Sequence, residues 1–319
     1  MHAAVVRSFD APPRYEAFQT PEPSSEHEIV VDVLAAGLHP RVRSGASGSH
    51  YTSAETLPLI PGIDGVGRSA ERQLLYFVAF DGVFGTMAER TVIDKRRAVV
   101  LPDDANVTAV AAAMNPGMSS WVALRKRISF EAGQKVLVLG ATGNAGQMAV
   151  QIAKFLGAGH VTAAGRNVER LAALTSLGAD ETVSLTGEPD EVALALEAAG
   201  ADVDVVIDYL WGSATELAIP ALVKGRTERS KPLSWIQIGS MAGTTITLPS
   251  AALRAANLQL LGSGQGSLTT AGIVAELPEL AEQITAGTFV VDPVATALSD
   301  VESAWSAPTA PGQRIVFTT

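Results

Sequence analysis

The chain has 319 residues, a formal net charge of −10, and 47% hydrophobic against 18% charged residues. That length suggests about two domains or one large α/β unit, and that balance supports a large buried core and argues against a disordered chain. An acidic surface repels phosphate backbones and anionic lipid, so no nucleic acid and no membrane partner is expected. The lack of any cysteine excludes disulfides, thiolate metal sites and a cysteine nucleophile.

The first ten residues carry charge and lead into no long apolar run, so they do not read as a secretory signal, and no later apolar stretch is long enough to span a bilayer. A cytoplasmic protein is expected. Residues 2–7 and 28–36 (EIVVDVLAA) read as strands, separated by a Pro/Ser/Glu segment, with Gly and Pro punctuation at 45–48 and 58–67. Further strands are expected at 74–80, 88–93 and 98–101, which makes a β-rich domain. The texture changes after Asp103. Residues 107–114 are Ala-rich and 119–127 have helical apolar spacing.

From residue 135 strands and helices alternate. Strands are expected at 135–139, 160–164, 182–185, 203–207, 234–238 and 258–261, with helices at 146–156, 168–177, 190–199 and 214–223. Continuous apolar strands joined by amphipathic helices predict an α/β fold, with a doubly wound parallel sheet covered on both faces. The tail, 277–319, predicts one helix near 279–285 and a last strand at 313–318 that rejoins the first domain. The expected division is 1–115 completed by 263–319, and 116–262.

The central motif is KVLVLGATGNAGQMAVQIAKFLGA. A buried strand runs into Gly140, Ala141, Thr142, Gly143, Asn144, Ala145 and Gly146, and an amphipathic helix follows. Glycines there let the backbone turn sharply and approach a pyrophosphate, and the helix N-terminus offers unpaired N–H groups and partial positive charge. The spacing is G-x-x-G-x-x-G rather than G-x-G-x-x-G. A turn of this kind can also simply pack helix on strand, but the strand before it and the helix after it favour the dinucleotide reading. The next strand ends at Gly165, followed by Arg166 and Asn167, with no carboxylate until Glu169. An NAD site usually carries an acid there to hold the ribose hydroxyls. Arg166, with Arg170 one turn on, suits a 2′-phosphate instead, so NADPH is the expected cofactor. The plainer reading, two solvated arginines at a helix start, sets cations against the helix dipole and so calls for a compensating anion.

At this point the sequence resembles the medium-chain dehydrogenase/reductase superfamily. The resemblance rests on PGIDGVGR (61–68), GTMAERTVI (85–93), NPGMSSWVAL (115–124), EAGQKVLVLGATGNAG (131–146) and GQRIVF (312–317), in that order, with LHPRVRSGASGSHY (38–51) matching the catalytic-domain segment. It covers essentially the whole chain. It implies a GroES-like β-rich catalytic domain beside a Rossmann domain, an active site in the cleft between them, and a homodimer. Zinc-dependent members carry a cysteine in the segment matching 37–39 and Gly-His-Glu where Gly62, Ile63 and Asp64 stand. Neither the thiolate nor the imidazole is present, so the resemblance is to the zinc-free, quinone oxidoreductase-like branch and no metal is expected. That branch implies hydride transfer from nicotinamide to a small electrophile, a quinone or an α,β-unsaturated carbonyl.

Carried over residue by residue, the resemblance implies that Ser119 approaches the nicotinamide. It also implies that Asp208, Tyr209 and Leu210, with Ile238, Gly239 and Ser240, follow strands whose ends line the cofactor cleft, and that Gly262 and Ser263 lie in the loop near the nicotinamide. Tyr51 matches a tyrosine near the substrate in zinc-free reductases and is a candidate proton donor. It can equally be a loop tyrosine packed on the cleft wall. His39 stands where quinone oxidoreductases often have Asn and is a candidate hydrogen-bonding group, although a lone His is commonly structural. A quinone needs no protein acid, because solvent can supply protons.

Other site types fail on spacing. The histidines show no H-E-x-x-H and the serines no G-x-S-x-G, and GSGQG (262–266) lacks the Lys of a phosphate-binding loop. A short-chain dehydrogenase would need Tyr-x-x-x-Lys after the glycine turn, but Tyr209 has Ser213 at that spacing. A non-catalytic NADPH-binding sensor on the same fold stays open, because function lives in the site rather than the fold.

Overall fold

Short strands open the chain in the computed structural model, which describes residues 1–49, 53, 56–79, 82–310 and 312–319. β1 (His2–Val5) pairs antiparallel with β2 (Arg14–Ala17). β3 (Glu28–Gly37) is the longest strand, and α1 (Pro40–Ala46) follows it directly. Pro40 sits in the first turn of α1, where its missing N–H costs nothing. β4 (Asp64–Ser69), β5 (Leu74–Val78), β6 (Arg90–Asp94) and β7 (Ala98–Val100) complete the first run of strands. α2 (Val107–Val122) contains Pro116 and continues into a π turn, Ala123–Arg127.

The alternating region follows. β8 (Lys135–Leu139) leads to α3 (Asn144–Phe155), β9 (His160–Gly165) to α4 (Val168–Leu174), and β10 (Glu181–Ser184) to α5 (Pro189–Ala199). β11 (Val205–Asp208) leads to α6 (Gly212–Gly225), β12 (Leu233–Gln237) to α7 (Ala252–Ala255), and β13 (Leu258–Gly262) to α8 (Thr270–Val274). The tail adds α9 (Leu277–Thr285), β14 (Asp292–Ala297), α10 (Val301–Ala304) and β15 (Gln313–Thr318).

The chain divides into two compact units, Met1–Asn115 with Leu277–Thr319, and Pro116–Glu276. The first holds a sheet of order β14-β15-β3-β4-β5-β7, with β6 also paired to β3. The second holds six parallel strands in the order β10-β9-β8-β11-β12-β13, the arrangement of a Rossmann fold. Its inner strands are mostly apolar because both faces are covered. Val136 to Leu139 and Val206 to Ile207 are fully buried, against helix residues such as Leu196, Ala218 and Leu222. Strand order reverses between β8 and β11. In register, Ala164, Leu139, Asp208, Gln237 and Gly262 form one row across the sheet, so the chain leaves five neighbouring strands at the same level. Ligands of open α/β sheets bind beyond the carboxyl ends at such a reversal.

Segment 263–276, expected with the tail, groups with the second unit instead. Its last residue supplies the reason. The buried carboxylate of Glu276 accepts from Trp121 Nε1 and Arg125 Nε and pairs with Lys126, all in the second unit. Helices α1, α7, α8 and α10 are short and were not apparent from periodicity. Among the described residues, no helix is long and apolar enough to cross a membrane.

Candidate cofactor site

The glycine turn follows β8 directly. Gly140 has φ of 86°, a conformation natural only to glycine, and its N–H and that of Ala141 both donate to Ala164 O, at 2.9 and 3.0 Å. This double contact pins the turn to the neighbouring strand β9. Gly146 opens the close approach of α3, since a Cβ there would collide with Gly140 O and the Ala141 backbone. Gly165 makes room for the Thr142 side chain in the same way. Gly143 is different. It is exposed, its φ of −81° suits any residue, and an added Cβ would meet only Gly140 O, at 3.6 Å. The fold does not require a glycine there, but a ligand lying on the turn would. The N–H groups of Ala145 and Gly146, in the first turn of α3, have no intrahelical carbonyl and face the same side as the helix dipole's positive end. Fully apolar strand and amphipathic helix thus leave one polar backbone cradle between them.

Arg166 and Asn167 follow β9. The Arg166 side chain is exposed, and its carbonyl accepts from Thr186 Oγ1. Asn167 caps α4, Oδ1 accepting from the Arg170 N–H at 2.9 Å. Arg170 reaches back over the glycine turn and donates to Thr142 O at 3.1 Å, while its Nε is buried without a partner. A buried, unpaired guanidinium N–H beside the cradle fits an absent anionic group.

The loop after β11 is held by Asp208. This carboxylate is fully buried: Oδ1 accepts from the N–H of Leu210 and Trp211, at 2.8 and 2.9 Å, and Oδ2 from Thr215 Oγ1 and Trp235 Nε1, at 2.6 and 3.0 Å. Four acceptor sites are occupied, so the side chain shapes the loop and has no capacity left for a ligand. That is a correction to its expected contact with cofactor. The reason is burial, which the sequence position alone did not disclose. Leu210 packs against Gly140, within 3.0 Å of where a Cβ would stand. Trp211 is pulled into a left-handed backbone, φ 53° and ψ −160°, a strained state for a non-glycine residue that the Asp208 bonds maintain. The loop after β12 is zipped to this one: Met241 N donates to Tyr209 O and Ala242 N to Leu210 O. Gly239 lies so close to Tyr209 that a Cβ would crowd its carbonyl at 2.7 Å, and Ser240 beside it is exposed. Gly262 is open around its Cα and its carbonyl accepts from Arg127 Nε, while Ser263 N donates to Gln237 O.

Ser119, on α2, is half-buried and bonded at 2.8 Å to the hydroxyl of Tyr209, which follows β11. The turn, Gly165, Arg166, Arg170, Leu210, Gly239 and Ser119 are therefore gathered on the carboxyl side of β8, β9, β11 and β12. Tyr209 was expected only as part of the segment after β11, and its bond to Ser119, 90 positions away, was not legible in the sequence.

In the first unit, His39 is buried, and Nε2 lies 3.0 Å from Asp64 Oδ1. Tyr76 OH donates to Asp64 Oδ2 at 3.0 Å, and Thr86 Oγ1 to Asp64 O. Burial lowers the His39 pKa, with Asp64 opposing and Arg314 and Arg41 adding to the fall. Burial raises the Tyr76 phenol well above its usual range and pushes Arg314 down to about 10. Asp64 therefore accepts from a neutral imidazole, leaving Nδ1 as an acceptor. Arg314 has Nε and one terminal nitrogen buried without a partner. Asp64 and Arg314 were missed, because nothing in the chain ties 39, 64, 76 and 314 together before folding. Tyr51 lies outside the described residues. These groups make no zinc site: the chain has no cysteine, Ile63 has no donor, and His39 and Asp64 are bonded to each other. Among the described residues, no cluster of three or more His, Cys, Asp or Glu side chains could hold a metal ion.

Sheet order, glycine turn and gathered strand ends define a dinucleotide-binding α/β protein joined to a β-rich unit. A family model described as zinc-binding dehydrogenase matches residues 145–285. The probable NADPH-dependent quinone reductase tdiC of Emericella nidulans is 30% identical over 358 aligned positions, covering 99% of this chain and 99% of that one. The chloroplastic NADPH-dependent alkenal/one oxidoreductase of Arabidopsis thaliana is 28% identical over 55% of this chain and 50% of its own length. The quinone oxidoreductase of Thermus thermophilus, solved also with NADPH, superposes with a TM-score of 0.82 at 27% identity, each chain covered in full. The chain belongs to the medium-chain dehydrogenase/reductase superfamily, in its quinone oxidoreductase-like branch, a family of NADPH-dependent quinone and alkenal reductases.

Proposed function

We propose that this chain binds NADPH and passes its hydride to a quinone or an α,β-unsaturated carbonyl without a metal ion. The observation that carries the reading is the cradle between β8 and α3, bordered by Arg166 and Arg170 with no carboxylate at the end of β9. Bound NADPH supplies the hydride. The protein's contribution is binding and orientation. Ala145 and Gly146 N–H groups face the pyrophosphate, with Gly143 giving it room. Arg166 pairs with the 2′-phosphate, and Arg170 adds a second cation beside the turn. The Asp208-anchored loop, through Leu210, braces the turn from the other side. Gly239, Ser240, Gly262 and Ser263 border the nicotinamide half, and Ser119 meets the nicotinamide itself.

His39 and Tyr51 are the proposed substrate-side groups. A neutral His39 that donates Nε2–H to Asp64 has only acceptor capacity at Nδ1 and is no proton donor, so a required acid falls to Tyr51 or solvent. The relatives' names support quinones and enones as the substrate class. A homodimer is proposed too. β13 is the edge strand of the second unit's sheet, and Leu260 on it and Leu253 on α7 are exposed.

The test is calorimetric titration with NADPH and NADH, followed by oxidation of the bound coenzyme against a panel of quinones and enones. Arg166→Ala is expected to weaken NADPH at least tenfold more than NADH. Equal loss for both coenzymes overturns the phosphate assignment, and binding without turnover on any electrophile points to a sensor.

A further inference from the structure

Tyr209 and Ser119 lie 90 positions apart, yet their hydroxyls stand 2.8 Å from each other in the second unit. Tyr209 is anchored directly beside the reversal in strand order: its N–H donates to Leu139 O, the last carbonyl of β8. Ser119 Oγ also lies 2.7 Å from Pro116 O. A serine hydroxyl has one proton, and a carbonyl oxygen only accepts, so that proton is spent on Pro116. The bond between the two hydroxyls therefore runs one way: Tyr209 donates and Ser119 accepts. The phenol is protonated throughout the neutral range, its pKa pushed up to about 12 by burial.

We propose that Tyr209 is a positioning residue for the cofactor, whose O–H fixes Ser119 Oγ as a hydrogen-bond acceptor for the carboxamide NH2 of the nicotinamide. This rests on the cofactor reading given above. A dinucleotide laid across a doubly wound sheet puts one nucleotide on each side of the reversal. With the phosphate-binding arginine after β9, the nicotinamide half falls beyond β11, where Tyr209 and Ser119 stand. With its proton and one lone pair committed, Ser119 Oγ has only acceptor capacity left. It can take an N–H from the carboxamide, but it cannot donate to the carbonyl of a quinone or enone. The pair therefore orients the coenzyme ring and plays no part in polarising the substrate.

The test compares binding of NADPH with that of its 3-acetylpyridine analogue, whose methyl ketone has no N–H. For the unsubstituted protein, calorimetry is expected to give about tenfold weaker binding of the analogue, the worth of one hydrogen bond. Tyr209→Phe and Ser119→Ala are each expected to weaken NADPH by up to that factor and to leave the analogue nearly unaffected. The double variant should be no worse than Ser119→Ala alone, because the two act as one unit. Thermal unfolding of each variant reports folding, and the unsubstituted protein's discrimination stands as a test even if Tyr209→Phe does not fold. NADPH and analogue bound equally well, or both weakened alike by Tyr209→Phe, overturns the proposal while leaving the cofactor reading intact. No binding of either coenzyme overturns both.

Discussion

Two acids, Asp64 in the first unit and Asp208 in the second, are buried with both carboxylate oxygens bonded. Asp208 meets four donors, and Asp64 takes bonds from His39 and Tyr76 on its two carboxylate oxygens. His39 offers a direct check on the second arrangement. Its folded pKa lies below the ordinary value near 6.5, so below that value the unfolded chain binds the proton more readily than the native one. Stability from this group is complete above about pH 6.5 and is lost as pH falls from there toward the lowered folded value, by at most about 1.4 kcal/mol per pH unit. Asp94, held at about 2 by Arg96, responds only in far stronger acid. Thermal unfolding between pH 7.5 and 5.5 should therefore show a falling midpoint, and His39→Asn should flatten it. An unchanged slope in the variant would place the titrating group elsewhere. At this scale the sequence was legible for residues that act through backbone shape, Gly140, Gly146 and Gly165. It was illegible for the partners of His39 and for the saturation of Asp208, because those depend on which distant donors folding delivers.

Among the elements, the link from β8 to α3 shows how one glycine spacing serves two purposes. Gly146 is needed for packing, since a Cβ there strikes backbone that has no room to move. Gly143 has room for a Cβ, so packing does not require it, and the proposed cofactor contact is what would. Gly146→Ala should cost about 1–3 kcal/mol of stability in urea unfolding, as overpacked sites do. Gly143→Ala should unfold as the parent does, yet bind NADPH at least tenfold more weakly. If both variants lose stability alike, the distinction between packing glycine and ligand glycine fails. The spacing G-x-x-G-x-x-G was readable because a buried strand precedes it and an amphipathic helix follows. Periodicity also gave the long helices α3, α5 and α6 to within a few residues. It missed α1, α7, α8 and α10, which are too short for a repeat to declare itself.

For the whole chain, alternation of strand and helix after residue 135 disclosed the sheet, and the return of strand pattern at the end disclosed the tail's destination. The exact point of return was not visible, because it depends on the burial of Glu276 against Trp121, Arg125 and Lys126. Assembly is testable at this scale. Light scattering should report a dimer, and Leu260→Arg on the edge strand should yield monomers that still bind NADPH. Dimers of unchanged affinity in the variant would move the interface away from β13.

The position of β15 sets a timetable for synthesis. It lies inside its sheet, between β14 and β3, pairing with Ala35 to Gly37, while Ile315 O receives the N–H of Leu38 and Thr319 Oγ1 donates to Val33 O. A nascent chain leaving the ribosome completes the Pro116–Glu276 unit while β3 still waits with part of its edge bare, and the strand that seats His39 receives a neighbour, β15, that emerges only after that unit. Protease digestion of stalled nascent chains should accordingly find the later-encoded unit resistant first, and the earlier-encoded one only after residue 318 has cleared the exit tunnel.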